Sequence, residues 1–140
     1  MGTKDVARWN IDTNVIVRYL LNDVVSQADE VEKLFEDAEK GKVEIVLSPV
    51  VVAETTFVLE TYYHQTIEKI SKEIQSILIQ PWVTVEHEKA VFGLWKWYEQ
   101  GQHFVDSYLL ALEKYEGTGI FSFDKNLNKK RTVSDIEKKG

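Results

Sequence analysis

The chain has 140 residues, of which 44% are hydrophobic and 29% charged, as is ordinary for one globular domain with its own core. No apolar run approaches the roughly 18 residues of a membrane-spanning helix, and the N-terminus lacks a signal-peptide pattern. The absence of cysteine excludes disulfides and thiolate metal sites. We therefore expect a single domain over residues 1–140, with no membrane partner and a cytoplasmic location.

The formal net charge of −6 argues against a protein that coats nucleic acid by charge alone, because phosphate contacts need Lys and Arg. The charge is nevertheless unevenly distributed. Residues 125–140 contain six basic residues against Asp135 and Glu137, which gives this stretch a net charge of +4. If acidic residues elsewhere bind divalent cations, part of the negative field is cancelled where a phosphate would lie.

Strands alternate with helices through the first half of the chain. Ser26 and Asp29 have the spacing of a capping box, which predicts that the second helix begins there. Ser48 is a good N-cap before Pro49, which is tolerated at the first position of a helix. The predicted order is a strand over 8–11, helices over 15–21 and 26–40, a strand over 43–47, and helices over 48–62 and 66–80.

The alternation continues to the C-terminus. The predicted elements are a strand over 83–85, an aromatic-rich helix to about residue 99, a helix over 104–115 closed by Gly117, a fourth strand over 119–123 and a short edge strand over 131–133. Crossover helices between strands imply a parallel sheet covered on both faces. Ligands bind such sheets beyond the carboxyl ends of the strands, where Asp12 leaves the first strand and Asp124 the fourth.

Four carboxylates are candidates for a functional site, and each has a simpler structural interpretation. Asp12 could cap the helix that follows it, because Asp is favoured at that position. Glu54 interrupts the apolar run 50–53 on a helix predicted to be largely buried, so it needs a cation or an edge position facing water. Asp106 suits the dipole of its helix, and Asp124 suits a turn.

Considered together, the four carboxylates favour a metal site. The ends of parallel strands and the N-termini of the helices that follow them lie on the same side of a sheet, so the four side chains are expected to converge. Clustered carboxylates repel one another unless cations lie among them. Hard oxygen ligands without His or Cys suit Mg²⁺ or Mn²⁺, and such ions activate water and stabilise charge on a scissile phosphate.

The segment Asn10–Leu21, with the sequence NIDTNVIVRYLL, resembles the opening of PIN-domain proteins, particularly the VapC-type toxins of toxin–antitoxin pairs. Three further segments resemble the family in the same order: Ser48–Glu54, Phe104–Ala111 and Phe121–Leu127. The resemblance covers essentially the whole chain. One departure is the aromatic content of residues 92–98, which the family pattern does not call for.

The resemblance implies a three-layer α/β/α fold with a central, mainly parallel sheet of four or five strands. It also implies a metal-dependent endoribonuclease that uses Mg²⁺ or Mn²⁺ to hydrolyse RNA, forms homodimers and is blocked by a cognate antitoxin. The family's catalytic, metal-binding acids correspond to Asp12, Glu54, Asp106 and Asp124. Thr13 and Ser122 fit the hydroxyl positions that would orient ligands or a water.

Two other functions stay open on the sequence. One is a catalytically silent PIN-like module that binds RNA or a partner protein through the same pocket, although such a module needs no cluster of four carboxylates. The other is a phosphate-transfer protein of similar topology, such as a receiver domain or an aspartyl-phosphatase. The aspartyl-phosphatases place a second acid two residues after the first, and Asn14 at that position counts against them.

Two groups of residues have no part in the predicted carboxylate site: the three histidines and the aromatic residues of segment 92–98. The histidines (His64, His87 and His103) share no ligand spacing, and we predict surface or loop positions for them. The aromatic residues 92–98 could stack on RNA bases, pack in the core or form a dimer contact. Trp95 falls on an apolar stripe whereas Trp97 does not, so Trp97 is the one expected to be exposed.

Overall fold

The computed structural model describes residues 5–131. Contacts between residues divide the chain into two compact units, a first unit that ends at Glu86 and a second unit that begins at His87. A single domain over the whole chain stays a prediction. None of the helices between residues 5 and 131 combines the length and apolar character that a membrane crossing requires. Outside the described residues lie most of the predicted edge strand and part of the basic stretch: Thr132, Val133, Asp135, Glu137, Lys138 and Lys139.

The first unit contains a parallel β-sheet with helices in its connections, as the sequence predicts. Its elements are β1 (Ala7–Asn10), α1 (Thr13–Leu21), α2 (Val25–Glu39), β2 (Val43–Leu47), α3 (Pro49–Thr61), α4 (Ile67–Leu78) and β3 (Val83–Val85). The strand order is β1-β2-β3, so β2 is central, and Ile45 in β2 pairs with Trp9 on one side and Val83 on the other. The α/β class and the parallel sheet are confirmed.

The core of the first unit is formed by β2 and one face of each helix. One face of α4 is buried, with Ile70, Ile74, Ile77 and Leu78 at most 3% exposed. Fully burying one such side chain contributes about 1.5–3 kcal/mol relative to leaving it in water. Thr66 caps α4 by accepting a hydrogen bond from the Lys69 amide at 3.2 Å.

The second unit is helical within the described residues. Its elements are α5 (Glu88–Gly93), α6 (Trp95–Tyr98), α7 (Phe104–Glu116) and α8 (Lys125–Lys130). The predicted aromatic helix is therefore two short helices, and the break at Leu94 lets Trp95, Trp97 and Tyr98 all turn inward. Trp97 is only 8% exposed, so the prediction that it faces solvent was wrong. The three histidines are exposed, as predicted.

The described residues form three strands rather than four or five. The predicted fourth strand over 119–123 has no regular secondary structure, because side chains rather than a neighbouring strand bind its backbone. Ile120 N donates to Glu113 Oε2 at 3.0 Å, and Ser122 O accepts a hydrogen bond from Asn128 Nδ2 at 3.0 Å. Phe121, whose aromatic ring favours strands in a sheet, is instead 90% exposed.

The start of α2 also differs from the prediction. The helix begins at Val25 with Val24 as its N-cap, and Val24 makes no side-chain cap hydrogen bond. Ser26 therefore lies inside the helix, so the predicted capping box with Asp29 was wrong. The Ala28 amide donates to Val24 O at 2.9 Å, so the helical hydrogen bonding starts two residues before the expected N-cap. Tertiary context outweighs a local capping preference here.

Candidate active site

Asp12 lies between the end of β1 and the start of α1. The Ile11 amide donates to Val46 O at 3.3 Å, so the sheet ladder continues to the residue before Asp12. Asp12 Oδ1 then accepts a hydrogen bond from the Val15 amide at 3.1 Å and caps α1. The capping interpretation is therefore confirmed. It does not exclude a functional role, because the cap uses Oδ1 and leaves Oδ2 outside this hydrogen bond.

Glu54 lies on an exposed face of α3, although the sequence predicts a largely buried helix. The edge position facing water is the interpretation that the structure supports. Thr13 Oγ1 donates a hydrogen bond to Glu54 Oε1, and Thr13 is itself 9% exposed. The hydroxyl thus holds the Glu54 carboxylate beside the start of α1, and the role of Thr13 in orienting a metal ligand or a water stays a prediction.

Asp12, Thr13 and Glu54 line one cavity of about 280 Å³ in the first unit. Both carboxylates offer hard oxygen donors, the kind that Mg²⁺ and Mn²⁺ prefer. The chemistry of this pair therefore fits a divalent cation. The other residues that line the cavity are Asn14, Val17, Arg18, Val58 and Tyr63.

Arg18 is a cation in the same cavity that the sequence analysis did not single out. Its Nη2 donates to Tyr63 Oη at 3.1 Å and its Nη1 to Asp23 Oδ1 at 2.5 Å. The hydrogen bond with Tyr63 and the charge of Asp23 raise the pKa of Arg18, which keeps it cationic. Its Nε is buried and has no hydrogen-bond partner among residues 5–131. A buried N–H without a partner is energetically costly.

Asp106 lies in the first turn of α7, as predicted, and is half-buried. The helix begins after His103, whose carbonyl accepts hydrogen bonds from both the amide and the hydroxyl of Ser107 at 2.9 Å. A carboxylate in a first turn also interacts favourably with the helix dipole. The helix ends at Gly117, whose φ of +81° is readily adopted only without a side chain.

Asp124 caps the short helix α8. Its Oδ1 accepts hydrogen bonds from the amides of Asn126 at 2.8 Å and Leu127 at 3.1 Å. Ser122 Oγ accepts a hydrogen bond from the Asp124 amide at 3.0 Å. Ser122 thus binds the backbone of Asp124, and the expectation that it orients ligands or a water stays a prediction. As at Asp12, the cap uses one carboxylate oxygen and leaves Oδ2 outside these bonds.

The segment that carries Asp124 is held to α7 by a buried ion pair that the sequence analysis missed. Arg131 Nη2 donates to Glu113 Oε2 at 2.8 Å, and the two side chains are 13% and 2% exposed. The same carboxylate accepts the Ile120 amide. The signal in the sequence was a charged residue on the apolar face of α7, beside Leu110. A charge in such a place needs a partner, because an unpaired buried carboxylate is expensive.

The structure brings Asp12, Thr13 and Glu54 together in the first unit, while Asp106 and Asp124 lie in the second. Over residues 5–131, no three or more His, Asp or Glu side chains are grouped closely enough to hold a metal ion. The four-carboxylate metal site thus stays a prediction.

In a comparison with known protein families, the PIN domain family matches residues 10–132 of the chain. This range includes all four candidate acids. A comparison with curated proteins gave no match, and neither did a comparison with solved structures. The match is to the PIN domain family in general, and the assignment of this chain to the VapC-type toxins within that family stays a prediction.

Proposed function

The chain belongs to the PIN domain family, whose members are typically nucleases, and we propose that it is a metal-dependent endoribonuclease that hydrolyses RNA phosphodiester bonds. One observation above all supports this proposal. Asp12 and Glu54, which are 42 positions apart, line one cavity with Thr13 hydrogen-bonded to Glu54. Two oriented carboxylates beside a cation, Arg18, suit a site that binds both a metal ion and a phosphate.

We infer that Asp12, Asp106 and Asp124 hold Mg²⁺ or Mn²⁺, with Glu54 completing the ligand shell or aligning the attacking water. When bound, such an ion lowers the pKa of water and stabilises negative charge on a phosphate. The helix caps at Asp12 and Asp124 fix one oxygen of each carboxylate, so the other is pre-oriented for a ligand. Pre-orientation matters because a misplaced ligand loses affinity and rate.

Arg18 would contact the phosphate group of the RNA. Its guanidinium is held from two sides, by Asp23 and by Tyr63, so its direction is fixed before the substrate binds. A guanidinium in this state offers its remaining N–H groups to phosphate oxygens at little cost in conformational entropy. Arg18 thus supplies positive charge within a cavity whose other charged lining residues are the carboxylates Asp12 and Glu54.

The test is cleavage of end-labelled single-stranded and structured RNA in Mn²⁺ by the parent protein, Asp12→Asn and Asp124→Asn. Each substitution keeps the shape and the helix cap but removes a charge, so the rate is expected to fall at least about a hundredfold, or about 2.7 kcal/mol. The matched control is Asp29→Asn, an exposed acid on α2, which should cut at the parent rate.

Metal removal completes the test. Excess chelator should abolish cleavage, and Mn²⁺ in excess over the chelator should restore it. Full cleavage by clean protein in chelator, or near-parent rates for both variants, would contradict the proposed metal site. RNA binding by a parent protein that never cuts would instead favour the catalytically silent module.

We further propose that the protein is the toxin of a toxin–antitoxin pair, that it forms homodimers and that an antitoxin protein blocks it. An exposed apolar surface on and beside α3 supports a protein partner. Val50, Phe57 and Tyr62 are 76%, 59% and 69% exposed, and the rings of Phe57 and Tyr62 lie 6.4 Å apart. Clustered apolar side chains in water often mark an interface.

Light scattering should show twice the monomer mass of 16.2 kDa, and Phe57→Ser should shift the protein towards monomer. The matched control is Val25→Ser, because Val25 is 67% exposed at the start of α2. Co-expression with the neighbouring gene should yield a complex in which RNA cleavage is suppressed. A compact monomer at high concentration, with no inhibitory partner, would contradict this part of the proposal.

A further inference from the structure

Two lysines of the second unit lie side by side around a tyrosine ring. Lys96 in α6 donates a hydrogen bond from Nζ to Tyr115 Oη at 3.1 Å, and its Nζ lies 5.4 Å from the centre of that ring. Lys114 in α7 places its own Nζ 5.5 Å from the same centre. Both lysines are exposed. We call Lys96, Lys114 and Tyr115 the lysine–tyrosine cluster.

The cluster is built on the aromatic stretch 92–98, which neither the family pattern nor the carboxylate site explains. Lys96 Nζ also lies 4.3 Å from the centre of the Trp97 ring, so two aromatic rings flank one ammonium group. Such cation–π contacts hold a flexible lysine side chain in place. Lys96 is therefore already oriented in the absence of a ligand.

Gly93 is what allows Tyr115 to lie here. A Cβ added at Gly93 would come within 2.3 Å and 2.6 Å of carbons of the Tyr115 ring. Only a residue without a side chain lets the ring pack directly against the backbone at the end of α5. The position of the Tyr115 hydroxyl therefore follows from the presence of glycine at this position.

The electrostatics of the cluster favour an anion. The hydrogen bond and the positive charge of Lys96 lower the pKa of Lys114, while the hydrogen bonds with Lys114 and Tyr115 raise the pKa of Lys96. A hydrogen bond between the two amines requires one of them to be neutral, and the lowered pKa of Lys114 marks it as the one that gives up its proton more readily, because two adjacent ammonium groups repel each other. An anion between them would relieve the repulsion, and Tyr115 Oη, which accepts from Lys96, keeps its own proton to donate.

We propose that the lysine–tyrosine cluster binds a phosphate of single-stranded RNA, a backbone phosphate other than the one that is cleaved. This inference rests on the proposed ribonuclease function and deepens it. Two ammonium groups and a phenol offer donors to both free oxygens of a phosphodiester. Tyr115 and Phe92 are 38% and 42% exposed, and such rings provide flat surfaces on which neighbouring bases stack.

The test is RNA binding rather than cleavage, so that its outcome is independent of catalysis. Fluorescence anisotropy with a labelled 12-nucleotide single-stranded RNA is measured in chelator for the parent and for Lys96→Gln/Lys114→Gln. The double variant is expected to bind about tenfold more weakly, and the slope of log K against log salt should shrink by about 0.7 for one lost phosphate contact. Lys33→Gln/Lys40→Gln, two exposed lysines of the first unit, is the matched control and should bind like the parent.

A second measurement uses the unaltered protein and does not depend on how a variant folds. Amine-reactive acetylation is read by mass spectrometry with and without the RNA, and we expect protection of Lys96 and Lys114 but not of Lys33. Tyr115→Phe, which keeps the ring and loses the hydroxyl, should weaken binding about threefold. That magnitude corresponds to one modest hydrogen bond.

Three results would overturn the inference. The first is equal RNA affinity and salt slope for parent and double variant, and the second is no protection of either lysine. A third is lysine-dependent binding of a polyglutamate peptide together with RNA binding that does not depend on the two lysines, which would assign the cluster to an acidic protein partner. Any of these could occur while the protein still cuts RNA, which leaves the nuclease proposal intact. Conversely, a protein that binds RNA through the cluster but never cuts refutes the nuclease and not the cluster.

Discussion

The two units hold their candidate acids by different physical means. In the first unit, backbone hydrogen bonds position Asp12, because the sheet ladder reaches Ile11 and the next residue starts a helix. In the second unit, no strand precedes Asp124 within the described residues. Side chains do the positioning there, since the Glu113 carboxylate binds both the Ile120 amide and the Arg131 guanidinium.

This difference has a consequence for how each acid responds to mutation. A backbone ladder spreads its energy over many residues, so no single side chain is indispensable for the position of Asp12. A buried ion pair concentrates its energy in two groups, and removing one leaves the other charged without its ionic partner. The loop of Asp124 should therefore be fragile where the turn of Asp12 is robust.

The largest expected effect is at the buried ion pair. Glu113→Ala should lower the free energy of unfolding by about 3 kcal/mol, because the largely buried Arg131 guanidinium loses its carboxylate partner and the Ile120 amide loses its acceptor. The matched control is Glu44→Ala in β2, which removes the ion pair between Glu44 and Arg8, whose side chains are 33% and 63% exposed. That change should cost about 1 kcal/mol or less.

Urea unfolding followed by tryptophan fluorescence measures both losses. Equal losses for Glu113→Ala and Glu44→Ala would show that the second unit does not depend on its ion pair. The double variant Glu113→Leu/Arg131→Leu sharpens the result, since replacing both charges should restore much of the stability that the single change removes.

An effect of intermediate size separates capping from metal binding at the acids. Asp124→Ala removes the cap of α8 and should lower the free energy of unfolding by about 1 kcal/mol, whereas Asp124→Asn keeps the cap and should cost only a few tenths. Asp12→Ala and Asp12→Asn should differ in the same sense. Thermal melting of the four variants gives the comparison. If the Asn variants are stable but no longer cleave RNA, the loss of activity is due to the missing charge and not to a damaged fold. If the Ala and Asn variants are equally unstable, the fold itself requires the charge.

The smallest expected effect concerns pH and lies in the second unit alone. The hydrogen bond with His87 at 3.0 Å, assisted by the Ala90 amide, holds the pKa of Glu116 below its usual range. A carboxyl group whose pKa is lower in the folded state than in the unfolded state stabilises the fold at pH values above its unfolded-state pKa. That stabilisation is lost as the pH falls through the folded-state pKa. Glu116→Gln should therefore unfold with a weaker pH dependence below about pH 4.3 than the parent.

Chemical unfolding at several pH values between 3 and 7 measures the slope. Glu36→Gln, an exposed acid on α2 in the first unit, is the control and should follow the parent curve. Identical slopes for the parent and Glu116→Gln would show that the contact with His87 does not contribute to stability.

Most of the secondary structure could be predicted, because it follows from local chemistry. β2 and β3 have the predicted bounds, Ser48 and Pro49 start α3 as expected, and Gly117 ends α7. The errors occur where distant groups compete with local preference. The segment 119–123 has residues that favour a strand, but the side chains of Glu113 and Asn128 bind its backbone. The hydrophobic pattern of the sequence does not predict those contacts.

The candidate acids could also be read from the sequence, because their positions after a strand, in a first turn and in a motif are local features. Their partners could not. Thr13 and Glu54 are 41 positions apart and Glu113 and Arg131 are 18 apart, so only the folded chain brings each pair within hydrogen-bond distance. The same holds for Lys96 and Tyr115, 19 positions apart and joined because Gly93 leaves room for a ring. The amino-acid sequence by itself determined most of the secondary structure and the chemistry of the acids. Tertiary packing decided which oxygen and which charge each acid contacts. The reason is that electrostatic and hydrogen-bond energies depend on distances in space, which separation along the sequence does not give.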